Sequence, residues 1–209
     1  MKTSLIFLFS VLTFFSFSQS DYNAEILEIA NSYKNGGGYK WSGTGCPESV
    51  FHKGQLVIAK STTNTTYCCG FTFVVAMKLL QKHNLLDDKT LIQVKKFQQE
   101  WYGATPESAE KQPVIALTRM GLGKEISLQE AKAGDFIQFW RGKTGHSAVF
   151  KGWILNDKKD TIGIQYRSTQ KATDGIGDNK EYFEGIEAEG KKGEIIRKRT
   201  YFARITKNN

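Results

Sequence analysis

The sequence predicts an α+β domain in which helices come first and an antiparallel sheet follows. Two observations carry this: apolar residues recur at helical spacing through the first half of the chain, and from Asp135 onward the pattern changes to short β-rich runs separated by turn residues. A third is negative: strands and helices do not alternate as a parallel sheet would require. The 209 residues, 40% of them hydrophobic and with 20 glycines lacking any three-residue period, suit one domain with one core.

Residues 1–20 have the build of a secretory signal. Lys2 opens it, an apolar run from Leu5 to Phe15 follows, and Ser18-Gln19-Ser20 places small residues at a cleavage site before Asp21. The run is shorter than the roughly 20 apolar residues of a membrane-crossing helix. The expected mature protein is therefore a single domain, residues 21–209, exported to the periplasm or the extracellular space, with no membrane span.

Asp21 or Asn23 can cap a first helix, whose Ile26, Ile29, Ala30 and Tyr33 share one face. Asn35-Gly36-Gly37-Gly38 ends it, and the chain to Thr66 reads as irregular apart from a short strand over 55–59. From Cys68 to His83, Phe71, Val74, Val75, Leu79 and Leu80 make an apolar stripe too wide for a surface helix, so this helix should be central. Asp88 is the expected cap of a third helix, with Leu91, Val94, Gln98 and Trp101 on its inner line and Thr105-Pro106 as its stop. A shorter helix over 114–120 ends at Gly121 and Gly123. Strands are expected over 135–140, 147–155 and 161–168, with Asn156-Asp157-Lys158-Lys159 as the turn between the last two, and a tail strand over 193–207.

The chemistry is concentrated in Tyr67-Cys68-Cys69-Gly70-Phe71, where the irregular segment becomes the central helix. Unpaired amides and the helix dipole stabilise a thiolate at a helix start, which makes Cys68 a candidate nucleophile. Gly70 would leave the surface beside the sulfur open to a substrate backbone. The competing reading is a buried structural cysteine. A base is at hand in Gly145-His146-Ser147, where a histidine opens a strand, whereas His52 and His83 read as ordinary surface residues. A cysteine at a helix start together with a histidine at a strand start is an arrangement that activates a thiol. Hairpin arithmetic seeks the group that orients the imidazole: paired positions should sum to 315 or 316, which sets Thr169 or Gln170 opposite His146, and Gln170 is the expected orienter, with Ser168 as the alternative.

These segments also resemble a known family. Cys68-Cys69-Gly70-Phe71 resembles the Cys-Ser-Gly-Phe helix start of the NlpC-type cell-wall peptidases, which are papain-like cysteine hydrolases. Ala133-Gly134-Asp135 with the strand after it, and Gly145-His146, resemble that family's Pro-Gly-Asp and Gly-His strands; Tyr39-Lys40-Trp41-Ser42-Gly43 resembles its Tyr-x-Trp-Gly-Gly segment. The matches run in family order from Tyr39 to about Gln170. The resemblance implies a papain-like fold, Cys68 as nucleophile, His146 as base and then acid, and Tyr39 and Trp41 on the substrate or oxyanion side. It implies amide cleavage in the peptide part of bacterial peptidoglycan. CHAP-type amidases share a similar layout. Tyr67 and Cys69 depart from the family's Asp and Ser, and the stretches over 46–66 and 85–122 are longer than its compact pattern.

If Cys68 stays free, the three cysteines leave Cys46 and Cys69 as a candidate disulfide. No Cys-x-x-Cys or His-x-x-x-His spacing suggests a zinc site, and no cofactor is implied. The formal charge of +8 gathers near the tail, in Lys191-Lys192 and Arg197-Lys198-Arg199. It reads as a solvated strand face, with attraction to an anionic wall as the alternative; export argues against a nucleic-acid partner. A monomer is expected. The rival functions are a non-catalytic peptide- or glycan-binding module on the same fold and a toxin-like amidase aimed at competitors.

Overall fold

A computed structural model describes residues 22–206; the expected signal segment, residues 1–20, and the candidate cap Asp21 lie outside the described residues. The elements in order are α1 (Asn23–Asn31), β1 (Gly36–Gly37), β2 (Val50–His52), β3 (Gln55–Ile58), α2 (Cys68–Lys82), α3 (Leu91–Trp101), α4 (Pro113–Met120) and β4 (Gly123–Ile126). Then come β5 (Phe136–Arg141), β6 (Thr144–Leu155), β7 (Thr161–Gln170), β8 (Gly175–Tyr182), β9 (Glu187–Ala188), β10 (Lys191–Lys192) and β11 (Thr200–Ile205). The α+β order expected from the sequence is present. One seven-stranded sheet runs β1-β8-β7-β6-β5-β11-β4, every pairing antiparallel.

Both faces of this sheet are covered. Phe136, Val149, Ile176, Ala203 and Ile205 meet the helical layer, in which α2 buries eleven of its fifteen residues, Phe71, Phe73, Val75, Leu79 and Leu80 among them. On the opposite face Ile137, Phe139, Phe150, Ile164, Tyr166 and Phe202 pack with Trp153, Phe183 and Ile195, supplied by the long hairpin and the chain after β8. Antiparallel strands with one wet face alternate apolar and polar residues. Burial on both sides explains why Phe136-Ile137-Gln138-Phe139 does not.

Several details differ from the sequence reading. Thr90, not Asp88, caps α3: its hydroxyl accepts from the Gln93 N–H while the Gln93 side chain takes the Thr90 N–H, a reciprocal capping box. Phe97 takes the buried inner position of α3, and Gln98 is only half-buried. The N-cap of α1 is Tyr22, and Asn23 instead reaches Ala133 O and Asp135 Oδ1, both at 2.9 Å. The tail does not extend from Gly193; Arg197–Arg199 form a 3-10 turn and β11 begins at Thr200. Strand β8 is new. Gly175-Ile176-Gly177, read as a loop signal, pairs throughout with β7, and at Gly175 (φ +113°) a Cβ would lie 2.3 Å from Gly36 O of β1.

Candidate functional site

Strand β6 and the start of α2 bring the two principal candidates together. Tyr67 is extended and offers no side-chain cap, so α2 opens on Cys68 with first-turn amides that its N-cap residue does not cover. Cys68 is half-buried and Cys69 buried, as neighbours turned about 100° apart on a helix should be when one faces an opening and the other the core. His146 is buried, with its ring against Phe139 and Tyr166 at centroid distances of 5.3 and 5.5 Å. The alternation of β6 turns Ser147 to the other face of the strand, where its Oγ lies 3.7 Å from Cys69 Sγ.

The Cys68 thiol is held well below its ordinary value. The adjacent Cys69 thiol is the largest influence; the charge and hydrogen bond of His146 and the N–H of Ser147 act in the same direction, and burial opposes them. Cys69 is pushed the opposite way, first by Cys68 and then by burial. The two sulfurs are 3.8 Å apart. The pair therefore divides into an ionisable outer thiol and a protonated inner one.

The inner thiol belongs to a polar cluster that the sequence did not reveal. Gln112 Oε1 accepts from Cys69 Sγ at 3.3 Å and from Ser147 Oγ at 2.9 Å, and Gln138 Oε1 lies 2.6 Å from the same hydroxyl. A hydroxyl has one proton, and Gln138 Nε2 is buried without a partner among the described residues. Turning the Gln138 amide over resolves both: Nε2 donates to Ser147 Oγ, which donates to Gln112 Oε1. Gln112 holds this position on a backbone at φ +36°, ψ −98°, where a side chain is strained, immediately before Pro113 opens α4. The Gln-Pro step is the one local signal in the sequence, and it marks a helix start and not a contact with β6.

Other expected residues fall in different places. Gln170 is not bonded to His146: its Nε2 donates to Thr173 Oγ1 at 2.5 Å, because the chain turns into the Lys171–Thr173 3-10 turn directly after it. Ser168 donates to Ser147 O at 2.6 Å. Neither is hydrogen-bonded to the imidazole: His146 Nε2 and Gln170 Oε1 are both buried with no partner among the described residues. The register agrees with the arithmetic at Val149–Arg167 and Phe150–Tyr166, sums of 316, and shifts to 317 from Gly152–Gln165 to Ile154–Gly163 across a bulge. The side-chain contact does not follow from it.

Gly70 is not an opening. A Cβ there would lie 2.3 Å from the Gly45 carbonyl and 2.7 Å from Cys46 N, so the glycine admits the chain's own loop and not a substrate. Nor do Cys46 and Cys69 form a bridge. All three thiols are free; Cys46 Sγ faces Tyr102 Oη at 3.1 Å while Cys69 is turned toward Gln112 and Ser147. Tyr39 forms a bridge with Thr66, and its hydroxyl is raised first by burial and then by the nearby Cys68 charge. Trp41, two residues on, is 82% exposed.

His52 and His83 are not plain surface groups. His52 is buried with Nε2 2.8 Å from Lys89 O, and His83 pairs with Glu25 at 3.0 Å. In the basic tail, Arg199 is tied to Glu110 at 2.5 Å and stacks over Trp140 at 4.3 Å, and the exposed Arg197 lies 4.1 Å above Phe183, so both guanidinium groups rest on the chain's own aromatic rings. Lys191 and Lys192 remain exposed. Among the described residues no three His, Cys, Asp or Glu side chains converge as metal ligands, and no helix is long and apolar enough to cross a membrane. No protein-family model, curated protein or solved structure matches the chain.

Proposed function

We propose that this chain is an exported, papain-like cysteine hydrolase of the NlpC type that cleaves amide bonds in the peptide part of bacterial peptidoglycan. The observation that carries the reading is the half-buried Cys68 thiol at the uncapped start of α2, held well below its ordinary value first by Cys69 and then by His146 and the Ser147 N–H. A thiol in that setting is a nucleophile near neutral pH. The order of the motifs, from Tyr39 through Cys68 to His146, supports the choice of substrate.

In this mechanism the Cys68 sulfur attacks the amide carbonyl carbon, and the C–S bond forms as the oxygen takes negative charge. First-turn amides of α2, beginning with Cys68 N–H, face that charge. His146, which takes the Cys68 proton as the sulfur attacks, passes it to the departing nitrogen as the C–N bond breaks. It then takes a proton from the water that adds to the thioester carbon, and the C–S bond breaks to release the acid and the thiolate. Tyr39, near enough to Cys68 for its hydroxyl to feel the sulfur's charge, stands on the substrate side in this reading. The aromatic packing of His146 between Phe139 and Tyr166 restrains the ring, which lessens the need for a third side chain.

Digestion of purified peptidoglycan by the full chain and by Cys68→Ala, with fragments read by mass spectrometry, tests the proposal. Wild type should release peptide fragments and the variant none, and the fragment masses identify the bond. A wild type that binds the polymer without releasing fragments would make the domain a binding module, and an active Cys68→Ala would remove Cys68 as nucleophile.

A further inference from the structure

Beside that reading stands a feature it leaves unused: a second thiol, Cys69, in contact with the first. We propose that Cys68 and Cys69 form a site of reversible oxidation, in which hydrogen peroxide or a related hydroperoxide oxidises Cys68 and Cys69 closes a disulfide with it. The geometry carries the inference. The sulfurs are 3.8 Å apart, Cys68 is half-buried and Cys69 buried, so an oxidant meets Cys68 first and a resolving thiol is already adjacent. Cys46, the remaining thiol, is occupied with Tyr102 at 3.1 Å. The opposite ionisation tendencies of the pair support the same division, because the thiolate is the form that attacks peroxide.

The chemistry balances in two steps. The Cys68 thiolate attacks one peroxide oxygen; the S–O bond forms, the O–O bond breaks, and hydroxide leaves as Cys68 becomes a sulfenic acid. Cys69 then attacks the Cys68 sulfur; the S–S bond forms, the S–O bond breaks, and water leaves with the Cys69 proton. Two electrons pass from the thiol pair to the peroxide. For the second step Cys69 must turn from Gln112 and Ser147, and the first turn of α2 must distort. Adjacent Cα atoms are about 3.8 Å apart, less than the usual disulfide span of about 4.4–6.8 Å. The bridge is therefore strained, and a strained bridge is readily reduced. Since it consumes the Cys68 sulfur, it also protects that sulfur from irreversible oxidation.

The inference rests on the reactivity of Cys68 and is read without peptidoglycan. The reduced full chain is exposed to hydrogen peroxide, alkylated and mapped by peptide mass, beside Cys69→Ser and Cys46→Ser. In wild type and Cys46→Ser, the peptide carrying both residues should lose two hydrogen atoms, lose its alkylation and recover both on reduction. In Cys69→Ser, Cys68 should gain two or three oxygens that reduction does not remove. Over-oxidation of Cys68 in wild type as fast as in Cys69→Ser would overturn the proposal, as would a bridge mapped to Cys46 or between two molecules. Should Cys69→Ser fail to fold, the wild-type map decides alone. A chain that forms the bridge yet digests nothing keeps this inference and loses the proposed function; a chain that digests peptidoglycan but never forms the bridge does the reverse.

Discussion

Cys46, like Cys69 and unlike Cys68, is held protonated by where its sulfur lies. Burial raises the thiol from 9.0 to about 11, partly offset by its contacts with Tyr102 and Thr44. The folded chain thus keeps a proton that the unfolded chain releases first, so the stability this thiol contributes is complete below pH 9 and falls as pH rises toward 11. A rise of that size corresponds to about 2–3 kcal/mol. Buried Tyr33, Tyr67 and Tyr102 are likewise held protonated, so the whole chain loses more than this. The difference between wild type and Cys46→Ala in urea unfolding at pH 8 and pH 11 isolates the thiol: the variant should lose less stability on going alkaline. Asp135 offers a second test at this scale. Fully buried, it accepts from Arg204 Nε and Nη2, each at 2.7 Å, and from Lys132 N at 2.8 Å. Asp135→Ala should cost about 3–5 kcal/mol in the same assay, because it leaves the Arg204 charge beside an emptied site.

At the scale of elements, the helix start that carries the candidate nucleophile depends on a close backbone approach. Alanine is the better helix former by about 1 kcal/mol, yet Gly70→Ala drives a methyl into the Gly45 carbonyl at 2.3 Å. The substitution should destabilise by about 1–3 kcal/mol in urea and slow any reaction of Cys68 by displacing the first turn of α2. The periodicity of α2 and the apolar content of β5 and β6 made these elements legible in the sequence, because packing and local pattern agree there. Gly70 was misread for a physical reason. A glycine marks a close approach without naming what approaches, and the Gly45-Cys46 loop comes from far upstream. The same limit hid Gln112, whose contacts with Cys69 and Ser147 arise only when α4, β6 and α2 meet.

Across the whole molecule, one sheet covered on both faces holds α2 against β6, and its β1 edge, paired with β8, leads into the loop that carries Tyr39 and Trp41. Strand β8 was not legible: Gly-Ile-Gly-Asp-Asn-Lys-Glu-Tyr has little strand preference of its own, and it is made a strand by eight successive pairings with β7. Gly175→Ala should detach β1, since the new methyl meets Gly36 O at 2.3 Å on a backbone of φ +113°. Hydrogen exchange should then quicken at Gly38 N–H, which donates to Asp174 O at 2.8 Å, while the amides of α2 keep their protection. Loss of protection throughout the helical layer would mean that the β1 edge supports the whole fold and not only this loop.

The candidate site makes one claim that all the rest depends on: of the three thiols, Cys68 alone is activated. Limiting iodoacetamide at pH 6 on the native full chain, followed by peptide mapping, measures it directly. The label should fall on Cys68, with Cys46 and Cys69 modified only after unfolding, and His146→Ala should slow the labelling. Label on Cys46 or Cys69, or no label until the chain unfolds, would contradict it.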